Sequence, residues 1–324
     1  MNGADWQPVA TLQALRLRAR KLAQARAFFA ARDVLEVETP ALARYAATDP
    51  QIESLAVHEP LGSRCGYLQP SPEYAMKRLL AAGSGDIYQI CRVYRAAERS
   101  RLHNPEFTLI EWYRLGFDLQ QMMQETAQLA ALLLDGPDSP RAFQYTSYSE
   151  VFIRYLGLDP LQASLAQLQS AAAGQGLQAS SIAGCNRDDL LDLLMATAIG
   201  PQLGRKALTC VHHYPASQAA LAQLDAADAR TALRFELYAE GIELANGYVE
   251  LGDAALQQQR FAADSLERLR RGLTAHTGDP RLLSALQAGL PACAGVALGL
   301  DRALMLALDA QHIDDVLTFA QERA

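Results

Sequence analysis

The sequence has 324 residues but only five cysteines, at positions 65, 91, 185, 210 and 293, and no Cys-x-x-Cys pair. That scatter offers neither zinc-ligand spacing nor a disulfide framework, so reduced thiols are expected. A basic excess is also missing. Lysine and arginine total 29 against 36 aspartates and glutamates, a net charge of −7. An extended nucleic-acid footprint normally shows as surplus basic charge, so this balance leaves room only for a local cationic pocket. No apolar run is long enough to span a bilayer, and the N-terminus from Met1 to Trp6 lacks a signal core. A cytoplasmic protein without a membrane partner follows as the expectation. Repeats and low-complexity linkers are absent too, so residues 1–324 read as one domain, with 50% hydrophobic residues available for its core.

What the chain does contain is a loop loaded with charge. Two β-prone runs, 87–94 and 107–113, flank Arg95-Ala96-Ala97-Glu98-Arg99-Ser100-Arg101-Leu102-His103-Asn104. The pattern predicts an antiparallel hairpin with a long tip. Clustered guanidinium groups repel, so the tip is either a solvated charged surface or a seat for a polyanion such as a nucleoside triphosphate. A second hairpin is predicted over 234–239 and 242–251, turning at Glu240-Gly241. A two-residue turn sets Tyr238 opposite Glu243 and puts Glu236 on the same face as a diagonal neighbour. Two carboxylates so placed either face solvent or hold a cation between them, for which magnesium is the natural candidate. Strand parity turns Glu250 away from Glu243 unless a bulge at Asn246-Gly247 reverses it.

Around these hairpins the spacing of Leu12, Leu15, Leu22 and Phe29 predicts an amphipathic helix over 12–32, running into a strand over 34–42 that includes Pro40. Short strands are expected at 55–58 and 66–69. A helix to about residue 82 is expected to follow, N-capped by Ser71 with Pro72 in its first position. Helices are expected at 164–177 and 187–199, and the alanine-, glutamine- and leucine-rich region 119–230 reads as a mostly helical insertion.

The hairpin tip with its ending His103-Asn104-Pro105-Glu106-Phe107-Thr108 resembles motif 2 of class II aminoacyl-tRNA synthetases, and within them the lysyl branch. Residues Gly295, Gly299, Asp301 and Arg302 fall in the spacing of motif 3, and the helix–strand–proline order at 12–40 resembles motif 1, whose family role is dimerisation. The resemblance implies an α+β fold, an antiparallel sheet flanked by helices, and amino-acid activation with ATP and Mg2+. By the same resemblance Arg95 holds the α-phosphate and Arg302 the γ-phosphate. Ala96, Ala97, Glu98, His103, Asn104, Phe107, Glu243, Leu244 and Gly299 surround the nucleotide, and Glu236 and Glu243 bind the metal. For the amino acid it implies Ser71, Pro72, Glu73, Glu111, Tyr113, Asn246, Glu250 and Ala297. Glu73 would receive the proximal ammonium, Asn246 the carboxylate and Glu250 a distal ammonium, which points to lysine or a close analogue. Motif 2 usually reads Arg-x-Glu, whereas here Ala97 holds the glutamate position and Glu98 follows it.

Only a short segment precedes the first helix, where lysyl-tRNA synthetases carry an anticodon-binding domain. In this the chain resembles the elongation factor P–(R)-β-lysine ligase family, whose members are truncated lysyl-tRNA synthetase paralogues. The implied substrates are β-lysine and elongation factor P, with no tRNA, and the implied assembly is a homodimer. Ala297, where the lysyl enzymes usually have glycine, adds a methyl group that would disfavour an α-ammonium and tolerate one on the β-carbon. A free-standing lysyl activator charging tRNA or another acceptor, and a non-catalytic regulatory module, are the alternatives.

Overall fold

The two runs flanking the charged loop pair in full, Ile87 with Tyr113 through to Tyr94 with Glu106, and this hairpin sits inside a large mixed sheet. The computed structural model describes residues 6–60, 62, 64–96, 98–136 and 141–324. Its strands in chain order are β1 (Leu35–Glu36), β2 (Leu42–Ala43), β3 (Ala56–His58), β4 (Arg64–Leu68), β5 (Ile87–Tyr94) and β6 (Glu106–Leu115). They continue with β7 (Phe143–Ser147), β8 (Leu208–Pro215), β9 (Thr231–Ala239), β10 (Ile242–Val249) and β11 (Cys293–Gly299). Eight of the described strands form one sheet in the order β1-β5-β6-β11-β10-β9-β8-β7, and β2-β4-β3 form a small second one. Pairing is antiparallel from β5 through β8 and parallel only at the two ends.

Helices α1 (Leu12–Ala30), α2 (Glu73–Ala81), α3 (Leu119–Leu134), α4 (Tyr148–Leu156) and α5 (Leu165–Gly174) are followed by α6 (Ala179–Ile182) and α7 (Arg187–Leu194). The remaining three are α8 (Ala254–Arg270), α9 (Pro280–Gly289) and α10 (Leu300–Ala307). Alternation along the strands decides which face they cover. Ile110 and Trp112 of β6, Ala294, Val296 and Leu298 of β11, and Phe235 and Leu237 of β9 form one buried core with α1, α3 and α10. Residues between them, Glu111, Tyr113, Ala297 and Glu236 among others, face the opposite side. That opposite side carries a cleft. The sheet and its helices are therefore α+β, as expected.

Several boundaries differ from expectation. The strand expected over 34–42 shrinks to β1 at the sheet edge, extended only by Val37 N–H donating to the Tyr88 carbonyl, and Leu42 belongs to the second sheet. The proline between them has no amide proton for a ladder. The first helix forms, but Leu12 is exposed and its buried face is Ala14, Lys21, Ala25, Phe28 and Phe29. Lys21 sits inside because its ammonium donates to the Leu132 carbonyl at 2.8 Å. Helix α2 starts one residue later than expected, with Pro72 at its N-cap, though Ser71 Oγ still accepts from Glu73 N–H at 3.0 Å. The region 119–230 is not purely helical: β7 and β8 extend the large sheet, and α4, α5 and α7 pack on β8.

In the second hairpin, Glu240 and Gly241 both take positive φ, 49° and 77°, as a tight two-residue turn requires. Glu243 pairs with Tyr238 as expected. The bulge lies between Glu243 and Ala245, not at Asn246-Gly247. Leu244 and Ala245 both enter the core, and Glu236, Glu243 and Asn246 are left on the cleft face.

One buried ionic knot joins three layers. Asp301 of α10 accepts from Arg18 Nη1 of α1 and from Thr108 N–H of β6, both at 2.6 Å. Asp301→Ala should lower unfolding free energy by about 2–4 kcal/mol, because it leaves the buried Thr108 amide without its acceptor and the half-buried Arg18 without a counter-charge, though Arg18 keeps the Val316 carbonyl and Thr108 Oγ1. Urea unfolding followed by circular dichroism measures it, and a change within error would show that the knot does not stabilise the fold.

Candidate active site

The cleft floor is a grid fixed by strand register. One row across the sheet runs Glu111, Ala297, Asn246, Glu236, and the next runs Tyr113, Gly295, Tyr248, Arg234. The cleft has a volume of about 900 Å3, and residues from α2, the 98–107 loop, α7, α8 and the 44–52 segment wall it. Its two ends differ in charge.

One end is rich in carboxylates. Glu111 is buried, accepting from Ser71 Oγ and Tyr113 Oη, each at 2.8 Å. Burial and the neighbouring Glu73 push its carboxyl up to about 8, against the pull of those two hydrogen bonds. Glu250 is equally buried and raised to about 8, chiefly by burial, with Lys77 opposing and Glu73 reinforcing the shift. Lys77 Nζ lies 2.6 Å from Glu73 Oε1 and 2.5 Å from Glu250 Oε2. Burial pulls the lysine down, but Glu250 and Glu73 outweigh it and hold its ammonium above its ordinary value. Gly295 makes this packing possible: a Cβ there would lie 2.3 Å from Glu250 Oε1 and 2.4 Å from Tyr113 Cε1.

The other end is cationic. Arg95 stacks over the Phe107 ring at 5.1 Å and reaches Glu98 at 4.0 Å, while its buried Nε has no hydrogen-bond partner among the described residues. Arg302 donates to the Glu243 carbonyl at 2.9 Å and to His103 Nε2 at 2.6 Å. Burial and then the charges of Arg302 and Arg95 depress His103 to about 4, so it meets Arg302 as a neutral acceptor. The remaining loop arginines do not face this end. Arg99 forms a paired contact with Asp314 at 2.7 and 2.8 Å, and Arg101 donates to the Gln311 carbonyl. The C-terminal segment therefore offsets part of the repulsion in the loop.

Between the ends stand Glu236 and Glu243. Glu236 accepts from Arg234 Nη2 and Tyr238 Oη, each at 2.6 Å. Burial and then Glu236 raise the Glu243 carboxyl, the mark of two carboxylates competing for one space. Among the described residues no group of three or more His, Cys, Asp or Glu stands in metal-holding geometry. A cation between these two would need further oxygen ligands from a bound molecule.

Of the expected site residues, Ser71, Pro72, Glu73, Glu111, Tyr113, Asn246, Glu250 and Ala297 line the cleft, as do Arg95, Glu98, His103, Asn104 and Phe107. Glu236, Glu243, Leu244, Gly299 and Arg302 line it too. Three expectations shift. Ala96 is outside the lining, its N–H donating to the Glu53 carbonyl, and Ala97 lies outside the described residues. Asn104 spends its amide on the Glu106 carbonyl at 2.7 Å, so it shapes the loop. The Leu244 side chain is in the core, and its carbonyl is the part near Gly299. Above Gly299 the space is open, with nothing nearer to an added Cβ than 3.8 Å.

Sequence reading gave no site role to Lys77, Arg234 or Tyr248, and it placed Gly295 in motif 3 without its packing role. Arg234 links Asn246 Oδ1, Glu236 and the Gln218 carbonyl, and its alternation with Glu236 along β9 was the available signal. Asp188 and Asp192 of α7 and Gln218 were also missed, because helical spacing carries no mark of which face meets a cleft.

The His103 environment yields a pH prediction. In the free protein its imidazole should titrate near 4 instead of 6.5. The unfolded chain then takes up the proton first, so this group's contribution to stability is present above about pH 6.5 and is lost as pH falls toward 4. Binding a polyphosphate should raise the value by offsetting the two arginines. Imidazole NMR with His103→Gln for assignment measures both, and a free-protein value near 6.5 would contradict the burial argument.

Comparison with known proteins agrees with this geometry. The family model for tRNA synthetases class II (D, K and N) matches residues 5–323. The elongation factor P–(R)-β-lysine ligase of Haemophilus ducreyi is 46% identical over 324 residues, spanning 99% of this chain and 97% of that protein. A family match over nearly the whole chain, together with 46% identity to a relative along almost its full length, means that the chain belongs to the class II tRNA synthetase family of the D, K and N type.

Proposed function

We propose that this protein is a ligase that adenylates (R)-β-lysine with ATP and transfers it to a lysine ε-amine of elongation factor P. The observation that carries this reading is a single cleft with two ends of opposite charge: Arg95 and Arg302, neither hydrogen-bonded to a carboxylate among the described residues, at one, and three buried or half-buried carboxylates at the other. ATP suits the first end and a molecule with two ammonium groups the second. The acceptor comes from the name of the 46% identical relative.

In the first half-reaction a carboxylate oxygen of the amino acid attacks the α-phosphorus, and the bond to the bridging oxygen breaks as pyrophosphate leaves. Arg95, with its unpartnered Nε, is assigned to the α-phosphate, and Arg302 to the γ-phosphate. Phe107, beneath Arg95, is assigned to the adenine face. Glu236 and Glu243 would hold Mg2+ carried in with the phosphates, and the ion supplies charge neutralisation there. Glu73 and Glu250 are assigned to the two ammonium groups, with Asn246 directing the carboxylate toward the nucleotide. In the second half-reaction the neutral acceptor amine attacks the acyl carbon, AMP leaves, and the nitrogen gives up a proton. We further propose a cytoplasmic homodimer acting without tRNA. Leu35 and Leu42, exposed beside the short β1 edge, support the dimer. No helix of the described residues is long and apolar enough to cross a membrane.

Exchange of labelled pyrophosphate into ATP should depend on a dibasic amino acid and prefer (R)-β-lysine to α-lysine. Preference for α-lysine, or exchange with neither, would sink the substrate assignment. Arg302→Ala should cut the exchange kcat/KM by about 100-fold or more. Full activity in that variant would move the γ-phosphate site elsewhere.

Ala297 sits between Glu111 and Asn246 on adjacent strands, and its methyl group is assigned to the substrate's proximal carbons. Ala297→Gly should shift relative kcat/KM toward α-lysine by about 10–100-fold. An unchanged ratio would remove Ala297 from the specificity argument.

A further inference from the structure

Lys77 has no part in the chemistry above, yet it is 1% exposed and stands within contact of two carboxylates on different elements. Burying an ammonium is costly unless it is paired. Glu73 lies one helical turn before it on α2, and Glu250 follows β10 across the cleft. Bridged by one ammonium, their nearer oxygens are held within two hydrogen-bond lengths of each other. Neither buried Glu250 oxygen makes a hydrogen bond among the described residues: Oε2 has its ionic contact with Lys77, and Oε1 lies in the space that the missing Gly295 side chain leaves.

We infer that Lys77 is a positioning residue for the dibasic substrate, bridging the Glu73 and Glu250 carboxyl groups and fixing their separation so that each can receive one substrate ammonium. This rests on the reading of the cleft as a dibasic amino-acid site. Burial lifts Glu111 and Glu250 to about 8 even with Lys77 opposing the shift at both, and two substrate ammonium groups would favour their ionised forms further. Without Lys77 three carboxylates face one another in a site poor in water, and the cheapest relief is to take up a proton. A protonated carboxyl has lost much of its hold on an ammonium. The groups facing Glu250 are Glu73 and Lys77 of α2, Glu111 and Tyr113 of β6, Tyr248 of β10 and Cys293 of β11, and Lys77 is the cation among them.

A lysine that merely braced α2 would leave the pH profile alone, and this separates the two roles. Pyrophosphate exchange by the full chain, at saturating Mg-ATP with (R)-β-lysine varied, is measured across pH for the wild type and Lys77→Met. Expected for Lys77→Met is a KM for the amino acid raised about tenfold or more with KM for ATP unchanged. The acidic limb of kcat/KM should move to higher pH, since the carboxylates now keep their protons longer. A limb that stays in place overturns the inference. Should Lys77→Met not fold, Lys77→Arg decides: charge is kept while geometry changes, so KM rises and the limb remains at its wild-type position, and a displaced limb refutes the role. Wild-type protein that exchanges with no dibasic amino acid overturns the functional reading itself, and this inference with it.

Discussion

Side chains along a β-strand point alternately to its two faces, so a strand that must supply both core and site has its parity decided at every residue. In β10 that parity is reset once, by the bulge between Glu243 and Ala245. Leu244 and Ala245 go together into the apolar core, and Glu243, Asn246 and Tyr248 all reach the cleft. Had the same residues of β10 run as a regular strand without the bulge, Glu243 and Asn246 would lie on opposite faces. The row Glu111, Ala297, Asn246, Glu236 and the carboxylate Glu250 beyond it both depend on that one insertion.

The cleft built on this floor works by separated charge. At one end, Arg302 donates to a carbonyl and an uncharged imidazole, and the carboxylates nearest the two arginines, Glu243 at 3.6 Å from Arg302 and Glu98 at 4.0 Å from Arg95, stand beyond hydrogen-bond distance, which leaves donors for an anion. At the other, burial lifts Glu111 and Glu250 toward neutrality and Lys77 works against it. The two ends are near enough to bring a carboxylate to a phosphorus, which is where an adenylating site draws much of its rate. Arginines that do not serve the cleft are anchored to the C-terminal segment. The loop is thus stable through its own fold as well as through any ligand.

Much of this was legible in the residues. The charged hairpin, its partner hairpin with the Glu240-Gly241 turn, and the helix before Arg32 all follow from local patterns of period 2 or 3.6 and from turn chemistry. Less legible were elements whose form depends on distant chain. β7 and β8 are short strands inside an alanine- and leucine-rich region, and only pairing with β9 and with each other makes them strands. The 34–42 segment looked like one strand, but only Leu35–Glu36 finds a ladder partner in the large sheet before the proline.

The sequence by itself offered the class of chemistry through its resemblance to class II synthetase motifs, carried by arginines, glutamates and glycines on hairpins that local pattern could predict. Tertiary structure alone decided where the bulge falls, which arginines and glutamates pair with one another, and that Lys77 meets both Glu73 and Glu250. Those outcomes depend on register and burial. Both are set by contacts between residues far apart in the chain, and neither leaves a periodic trace in it.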